Sequence, residues 1–406
     1  MHPPGASTVL VRYGEIGIKS DQVRTRMESR LQENIRAMLQ TRDLHGSVQC
    51  RHKRIYVETQ TASIDAVTDA VTDVFGVVSA SPAVRVEPTM ADITTALASA
   101  AKKYFDGTPF AVRARRAGPQ SAHPFTSTDI EREGGSAVYS AAEEAGFDPK
   151  VDLERPGQTY SVECREDAAY VFLERRDGPG GLPLGSQQPL VALVSGGIDS
   201  PVAAWLAMKR GSSVYPLYVD LGAFGGVDHR MRAAETVDGL QRFAPNVDCR
   251  LRIAPGGEAI EQIAAETSMY RMLIARRFMF RVAEGVADSL GAVGIVTGES
   301  VGQKSSQTAT NLRVTSAATE LPVHRPLLTA DKSTITDRAR DIGTYEDSTI
   351  DTGCHLLAPE NPATRPALGA VEAAEPDSLN SLLERTVAET SILESDDTIH
   401  RSGCAR

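Results

Sequence analysis

Val191-Ala192-Leu193-Val194-Ser195-Gly196-Gly197-Ile198-Asp199-Ser200-Pro201 is the stretch that decides the fold. Four apolar residues end in a tight Ser-Gly-Gly turn. An acid and a serine follow, and Pro201 opens an apolar run over residues 202–208. The order reads as a buried strand, a phosphate-sized loop and a helix with proline in its first turn. Glycines there let backbone N–H groups approach an oxyanion, and the helix N-terminus adds partial positive charge. The stretch predicts a pyrophosphate seat, and hence a nucleotide. No lysine follows the glycines, so it is not a Walker A loop, nor is it G-x-G-x-x-G.

The pattern S-G-G-x-D-S resembles the PP-loop of the ATP pyrophosphatase superfamily, whose members cleave ATP to AMP and pyrophosphate while activating an oxygen. Downstream, strand-like and helix-like runs alternate over residues 190–194, 202–208, 214–219, 231–243, 249–253, 269–287 and 294–297. That alternation predicts a doubly wound parallel sheet, an α/β domain. Upstream, residues 177–189 are rich in glycine and proline and read as a linker. Before it the pattern is that of two smaller α+β domains. The first has a strand at 9–13, a helix at 21–39 with Val23, Met27, Leu31, Ile35 and Leu39 in step, and a strand-like alternation over 48–58. The second has helix-like 64–74 and 93–105 and strand-like 110–114, 160–164 and 169–173. The acidic last forty residues are expected to be only partly ordered.

The chain has 406 residues, enough for two or three domains, and 41 % hydrophobic residues. No apolar stretch reaches the roughly 18 residues of a membrane helix, and the start lacks a signal-peptide pattern, so a cytoplasmic protein without a membrane partner is expected. The net charge of -10 taken alone argues against nucleic acid. Its distribution does not. The first sixty residues carry ten basic residues against six acids, while the last forty carry eight acids and three arginines. Five widely spaced cysteines, with no C-x-x-C pair, argue against a disulfide framework or a four-cysteine zinc site.

Thr297-Gly298-Glu299-Ser300 through Gln307 follows a strand-like run and can face the same crevice as the PP-loop. Cys50, Cys164 and Cys249 sit in apolar alternation and read as sheet or core residues. Cys354, in Asp351-Thr352-Gly353-Cys354-His355, has no apolar periodicity around it. A loop cysteine beside polar groups can be a thiolate nucleophile, and the local sequence leaves that open. Cys404 reads as a bystander on the tail. Arg113, Arg115 and Arg116 crowd one short segment, either as phosphate forks or as a solvated basic face.

Together these pieces resemble the tRNA 4-thiouridine synthetases, or tRNA sulfurtransferases, over nearly the whole chain to about Pro366. The match takes in Arg12-Tyr13-Gly14-Glu15-Ile16-Gly17-Ile18-Lys19, Phe75-Gly76-Val77-Val78-Ser79, Phe110-Ala111-Val112-Arg113-Ala114-Arg115-Arg116 and Phe125-Thr126-Ser127. It continues through the PP-loop, Thr297-Gly298-Glu299-Ser300, Ser305-Ser306-Gln307-Thr308, Arg325-Pro326-Leu327 and Ile342-Gly343-Thr344-Tyr345. The resemblance implies a ferredoxin-like domain at 1–60, a THUMP domain at 61–175 that grips the tRNA acceptor end and includes Arg113, Arg115 and Arg116, a PP-loop catalytic domain at 176–366, and an acidic tail at 367–406. It implies ATP-dependent transfer of sulfur to a tRNA uridine (position 8), through an adenylated uridine and a cysteine persulfide, and in some relatives sulfur supply for thiamine biosynthesis.

Carried over by position, Asp199 is the PP-loop aspartate and Cys354 the sulfur-carrying cysteine. Leu193, Val194, Ser195, Gly196, Gly197, Ser200, Val219, Asp220, Arg276, Gly298 and Gln307 contact ATP. Mg²⁺ accompanies the nucleotide, and no metal site of the protein's own is expected. The implied partners are tRNA, a sulfur donor (cysteine desulfurase or sulfide), a sulfur carrier protein and a second copy in a homodimer. Two features depart from the family's variants. The chain ends too soon for an appended rhodanese domain. Thr267-Ser268-Met269-Tyr270 lacks the C-x-x-C that holds an iron–sulfur cluster in some relatives, so that cluster is not expected. Two alternatives remain: another PP-loop tRNA-modifying ligase with an amine nucleophile, and a non-catalytic tRNA-binding protein.

Overall fold

The computed structural model describes residues 1–51, 53–225, 227–346 and 357–393. The chain forms two compact units, Met1–Pro183 and Leu184–Arg406. Among the described residues no helix is long and apolar enough to cross a membrane.

The first unit runs β1 (Thr8–Tyr13), α1 (Asp21–Thr41), β2 (Ser47–Arg51), β3 (Arg54–Glu58), α2 (Ile64–Thr72), β4 (Val77–Val86), α3 (Met90–Tyr104), β5 (Phe110–Arg116), α4 (Ser127–Glu144), β6 (Gln158–Cys164), β7 (Ala169–Phe172) and β8 (Arg176–Asp177). Its sheet has the order β2-β3-β1-β4-β7-β6-β5, with β8 on β4. Among the described strands of this sheet only β5 and β6 pair in parallel. The four helices cover one face. Met27, Leu31, Ile35 and Met38 of α1, three or four residues apart, bury against Val9, Val11, Ile55 and Val57. Each such side chain contributes about 1.5–3 kcal/mol. Ile93 and Leu97 of α3 and Ile130 and Val138 of α4 bury against Phe110, Val112, Tyr160 and Val171.

Four expectations change here. The alternation over 48–58 is a hairpin, with Arg51 opposite Arg54 and Lys53 in the left-handed region at φ 59°. The boundary expected at residue 60 passes through one core, because Ile64, Val67, Val71 and Ala80 pack with α1. Residues 77–86, to which the sequence pattern assigns no element, are a central strand. Pro82 fits because it falls between the residues that pair β8 and those that pair β7, where no ladder bond is lost on that side. Helix α4 was hidden by Gly134-Gly135. Gly134 is there for packing, since a Cβ would lie 2.6 Å from Leu97 Cδ1 of α3.

The second unit runs β9 (Gln187–Leu193), α5 (Asp199–Lys209), β10 (Ser212–Asp220), α6 (Val227–Gln241), β11 (Arg252–Pro255), α7 (Gly257–Glu266), α8 (Arg271–Leu290), β12 (Ile295–Val296), α9 (Ala309–Ser316), β13 (Val323–His324), α10 (Lys332–Asp341), α11 (Leu368–Glu372), α12 (Leu379–Ala388) and β14 (Ser391–Ile392). The sheet order is β13-β12-β9-β10-β11-β14, parallel except for β14. Helix α5 is apolar nearly all round and buries Val202, Ala203, Ala204, Trp205 and Met208.

Part of the acidic tail is ordered. Through residue 393 it is folded: α11 and α12 follow one another, and β14 pairs antiparallel with β11. Two of its acids are ion-paired. Glu375 accepts from buried Arg277 at 2.5 Å and from Arg281 at 2.6 Å, and Glu372 meets Arg277 at 3.2 Å. Leaving Arg277 unpaired in this core would be costly, so these acids are structural.

Candidate active site

Strand β9 lies where the strand order reverses, with β10 on one side and β12 on the other. In sheets of this kind the ligand crevice opens outside the carboxyl ends of the strands at that point. A cavity of about 640 Å³ opens there. Of the expected nucleotide contacts, Leu193, Val194, Ser195, Gly197, Asp199, Ser200, Val219, Arg276, Gly298 and Gln307 line it.

Gly196 and Asp220 are not in the lining. A Cβ on Gly196 would lie 2.9 Å from Arg232 Cβ, so this glycine serves the approach of α6. The Asp220 carboxylate accepts from Gly222 N–H at 2.9 Å, and its backbone oxygen accepts from Gly256 N–H at 3.0 Å. It closes the turn beyond β10 rather than facing the cavity.

The turn is held by its serines. Ser195 N–H donates to Ser200 Oγ at 2.9 Å, Ser200 Oγ donates to the Ser195 carbonyl at 3.2 Å, and Gly197 N–H reaches Ser195 Oγ at 3.3 Å. Helix α5 then starts without a side-chain cap, which leaves first-turn N–H groups for an anion. Gly298, just past β12, approaches that helix start closely: a Cβ would stand 2.8 Å from Asp199 C and Ser200 N.

Three further charged side chains line the cavity, Glu299 and Lys304 from the loop after β12 and Lys332 from elsewhere in the chain. Lys332, at the start of α10, donates from Nζ to Asp199 Oδ1 at 2.8 Å. Glu299 is buried; its Oε2 accepts from Arg325 Nε at 2.9 Å and its Oε1 lies 3.6 Å from Arg276. Arg325 also donates to Ser316 Oγ at 2.9 Å. Lys304 lines the mouth. Glu299 belongs to the Thr297-Gly298-Glu299-Ser300 run, but nothing local marks Lys332. Gln307 Oε1 is buried and, among the described residues, lacks a hydrogen-bond partner, leaving an acceptor for an amino group. No group of three or more His, Cys, Asp or Glu among the described residues could hold a metal ion.

Cys164 and Cys249 are buried and Cys50 is half-buried. Cys249 lies just ahead of β11 rather than in it. Burial pushes its thiol up to about 12, and burial together with Glu28 pushes Cys50 up to about 11. Neither is a ready thiolate. Cys354 and Cys404 lie outside the described residues.

In the first unit, side-chain alternation places Arg113 and Arg115 on the sheet face without helices. They line a depression of about 450 Å³ with Arg12, Arg54, Arg175 and Phe172 around buried Glu163. Arg116 points to the other face and donates to the Phe125 carbonyl at 3.2 Å, so it fixes a loop and does not join the other two. Arg12 and Arg54 joined this face through strand pairing, which no local motif announced.

Family models match three consecutive segments: a ThiI ferredoxin-like domain over residues 8–81, a THUMP domain over 87–174, and a thiamine biosynthesis protein (ThiI) model over 185–379. A probable tRNA sulfurtransferase of Halobacterium salinarum is 54% identical over 394 residues, covering 97% of this chain and 99% of its own length. One of Methanosarcina acetivorans is 40% identical over 362 residues, covering 88% and 86%. Among solved structures, a 4-thiouridine synthetase in complex with RNA and bound ATP superposes with a TM-score of 0.84 at 29% identity, covering 96% of this chain and 99% of that one.

Proposed function

Because the chain belongs to the tRNA sulfurtransferase family, we propose that ATP occupies the cavity beyond β9 and activates a tRNA uridine there for replacement of its oxygen by sulfur. The observation that carries this reading is the junction of Asp199, Lys332 and the uncapped start of α5 at one end of a nucleotide-sized cavity. The phosphates rest on the turn of residues 195–200, with Gly298 close enough to leave no room for a side chain between loop and helix. Lys332 stabilises charge that develops on the phosphates, and Gln307 Oε1 accepts from the nucleotide's amino group.

Asp199 is the carboxylate that would hold a magnesium ion entering with ATP, and such an ion would spread the phosphate charge. The uridine carbonyl oxygen attacks the α-phosphorus and pyrophosphate leaves. A persulfide on Cys354 then attacks the activated carbon and AMP leaves. The resulting disulfide link between Cys354 and the base is opened by a second thiol, which delivers thiouridine and ends in a disulfide with Cys354. Arg113 and Arg115, on the helix-free face of the first unit, bind the RNA backbone.

The test is single-turnover pyrophosphate release with ATP and tRNA, followed in wild type and Cys354→Ser. Release that depends on tRNA, with product formation lost in the variant, is expected. Full turnover by Cys354→Ser would favour an amine nucleophile, and no release at all a binding protein.

A further inference from the structure

Helix α6 brings a histidine to the cavity beside the turn of residues 195–200. His229, in the first turn of α6, is buried and lines the cavity together with Ser195, Gly197, Asp199 and Lys332. The face of α6 that carries it packs on that turn. A Cβ on Gly196 would lie 2.9 Å from Arg232 Cβ and 3.6 Å from the His229 carbonyl oxygen, so residues one helical turn apart close over this glycine. The hydroxyls of the turn serve the turn itself, since Ser200 Oγ accepts from Ser195 N–H and donates to the Ser195 carbonyl. Much of the charge in the lining is paired within it. Lys332 donates to Asp199, and Arg276 lies beside Glu299. A triphosphate seated on the turn brings several negative charges, and the imidazole of His229 is a side-chain donor held next to it.

We propose that His229 is a catalytic residue of the activation step: an imidazole N–H donates to an oxygen of the β- or γ-phosphate of ATP, and keeps that bond to the pyrophosphate as it leaves. The inference rests on the reading of the cavity as an ATP site. When the uridine oxygen attacks the α-phosphorus, the bond from that phosphorus to the bridging oxygen breaks, and its electron pair stays on the pyrophosphate. Negative charge therefore grows on the group that His229 contacts, and a hydrogen bond to it strengthens in the transition state. The proton stays on the imidazole, so the step needs no added acid or base. The ring has two nitrogens, and one can be held by the protein while the other donates. AMP lacks the β- and γ-phosphates and makes no use of His229.

The experiment uses full-length protein with magnesium present. It measures the affinities for ATP and for AMP by competition, and tRNA-dependent pyrophosphate release in single turnover at saturating ATP. In His229→Ala the affinity for ATP should fall about tenfold or more while that for AMP stays within about twofold, and release should slow about tenfold or more. AMP weakened as much as ATP would overturn the proposal, because a merely distorted cavity loses both nucleotides alike. Release unchanged at saturating ATP would overturn it too. Where His229→Ala fails to fold, His229→Leu replaces it, with a side chain of similar size and no donor. The same split is expected there, and the same two results count against it. Wild type that binds no ATP would sink the reading of the cavity itself. That is told apart from a failure of His229, which shows as ATP binding in wild type and an unchanged preference for ATP over AMP in the variant.

Discussion

Glu163 in the first unit and Glu299 in the second are both almost fully buried, 4 % and 2 % exposed, and both are met by guanidinium groups. Around Glu163 there are three: Arg54 at 3.1 Å, Arg165 at 2.6 Å and Arg12 at 3.8 Å, while Arg113, Arg115 and Arg175 line the same depression. Around Glu299 there are two, Arg325 and Arg276. The first arrangement leaves positive charge in excess on an open sheet face, which suits a polyanion recognised by its backbone. The second is smaller, one carboxylate between two guanidinium groups at a cavity that Arg276 and Lys332 also line, and on the proposed function the working cation there is Lys332. On the proposed function one unit binds by charge and the other acts by geometry, and variants should separate them.

The largest effect is expected from Asp199→Ala. Pyrophosphate release should fall on the order of 10²–10³-fold, as when a positioned electrostatic partner is removed from a reaction centre, with tRNA affinity within about twofold of wild type. A parallel loss of tRNA binding in a filter-binding titration would break the division between units. Next comes Arg113→Gln with Arg115→Gln. The tRNA dissociation constant should rise about tenfold and the slope of log K against log salt should shrink by about 2, while turnover at saturating tRNA is kept. An unchanged salt slope would remove these residues from the RNA face.

Glu163→Gln sharpens the comparison through pH. Burial pushes the Glu163 carboxyl up, but Arg54, Arg165 and Arg12 outweigh burial and hold it below the usual carboxylate range. A carboxylate with a depressed folded pKa adds stability that is present above its ordinary value of about 4.3 and is lost as pH falls through the folded value. The variant should unfold about 3 kcal/mol more easily near neutral pH, as expected when one member of a buried ion cluster is removed. That deficit should shrink in acid below about pH 4, read from urea melts at several pH values. A deficit that stays constant with pH would mean the charge on Glu163 is not what stabilises this face. The smallest effect belongs to Cys249→Ala: turnover within about twofold and a loss of about 1 kcal/mol of stability, since its thiol is buried and not ionised.

The PP-loop strand, turn and helix were legible because each is local: apolar residues to Leu193, glycines at the turn, a proline in the first helical turn. Most of the cavity lining followed from that one motif and the loop after β12. Lys332 was not legible. It is 133 residues from Asp199 and opens a short polar helix, and only the closure of the sheet brings the two together. The pairing of Glu372 and Glu375 was not legible either, because their partners, Arg277 and Arg281, lie on α8, nearly a hundred residues earlier. Arg116 looked like Arg113 and Arg115 because sequence proximity hides the two-residue period that sends it to the other face of β5. Pairing across distance, rather than local propensity, accounts for each of these misses.

The central claim is that the cavity beyond β9 activates a tRNA uridine that receives its sulfur through Cys354. The most direct measurement is mass spectrometry of tRNA nucleosides from cells lacking this protein, complemented in turn with wild type, Asp199→Ala and Cys354→Ser. Loss of 4-thiouridine in the deletion, restored by wild type and by neither variant, is the predicted result. Restoration by either variant, or 4-thiouridine persisting in the deletion, would contradict the account.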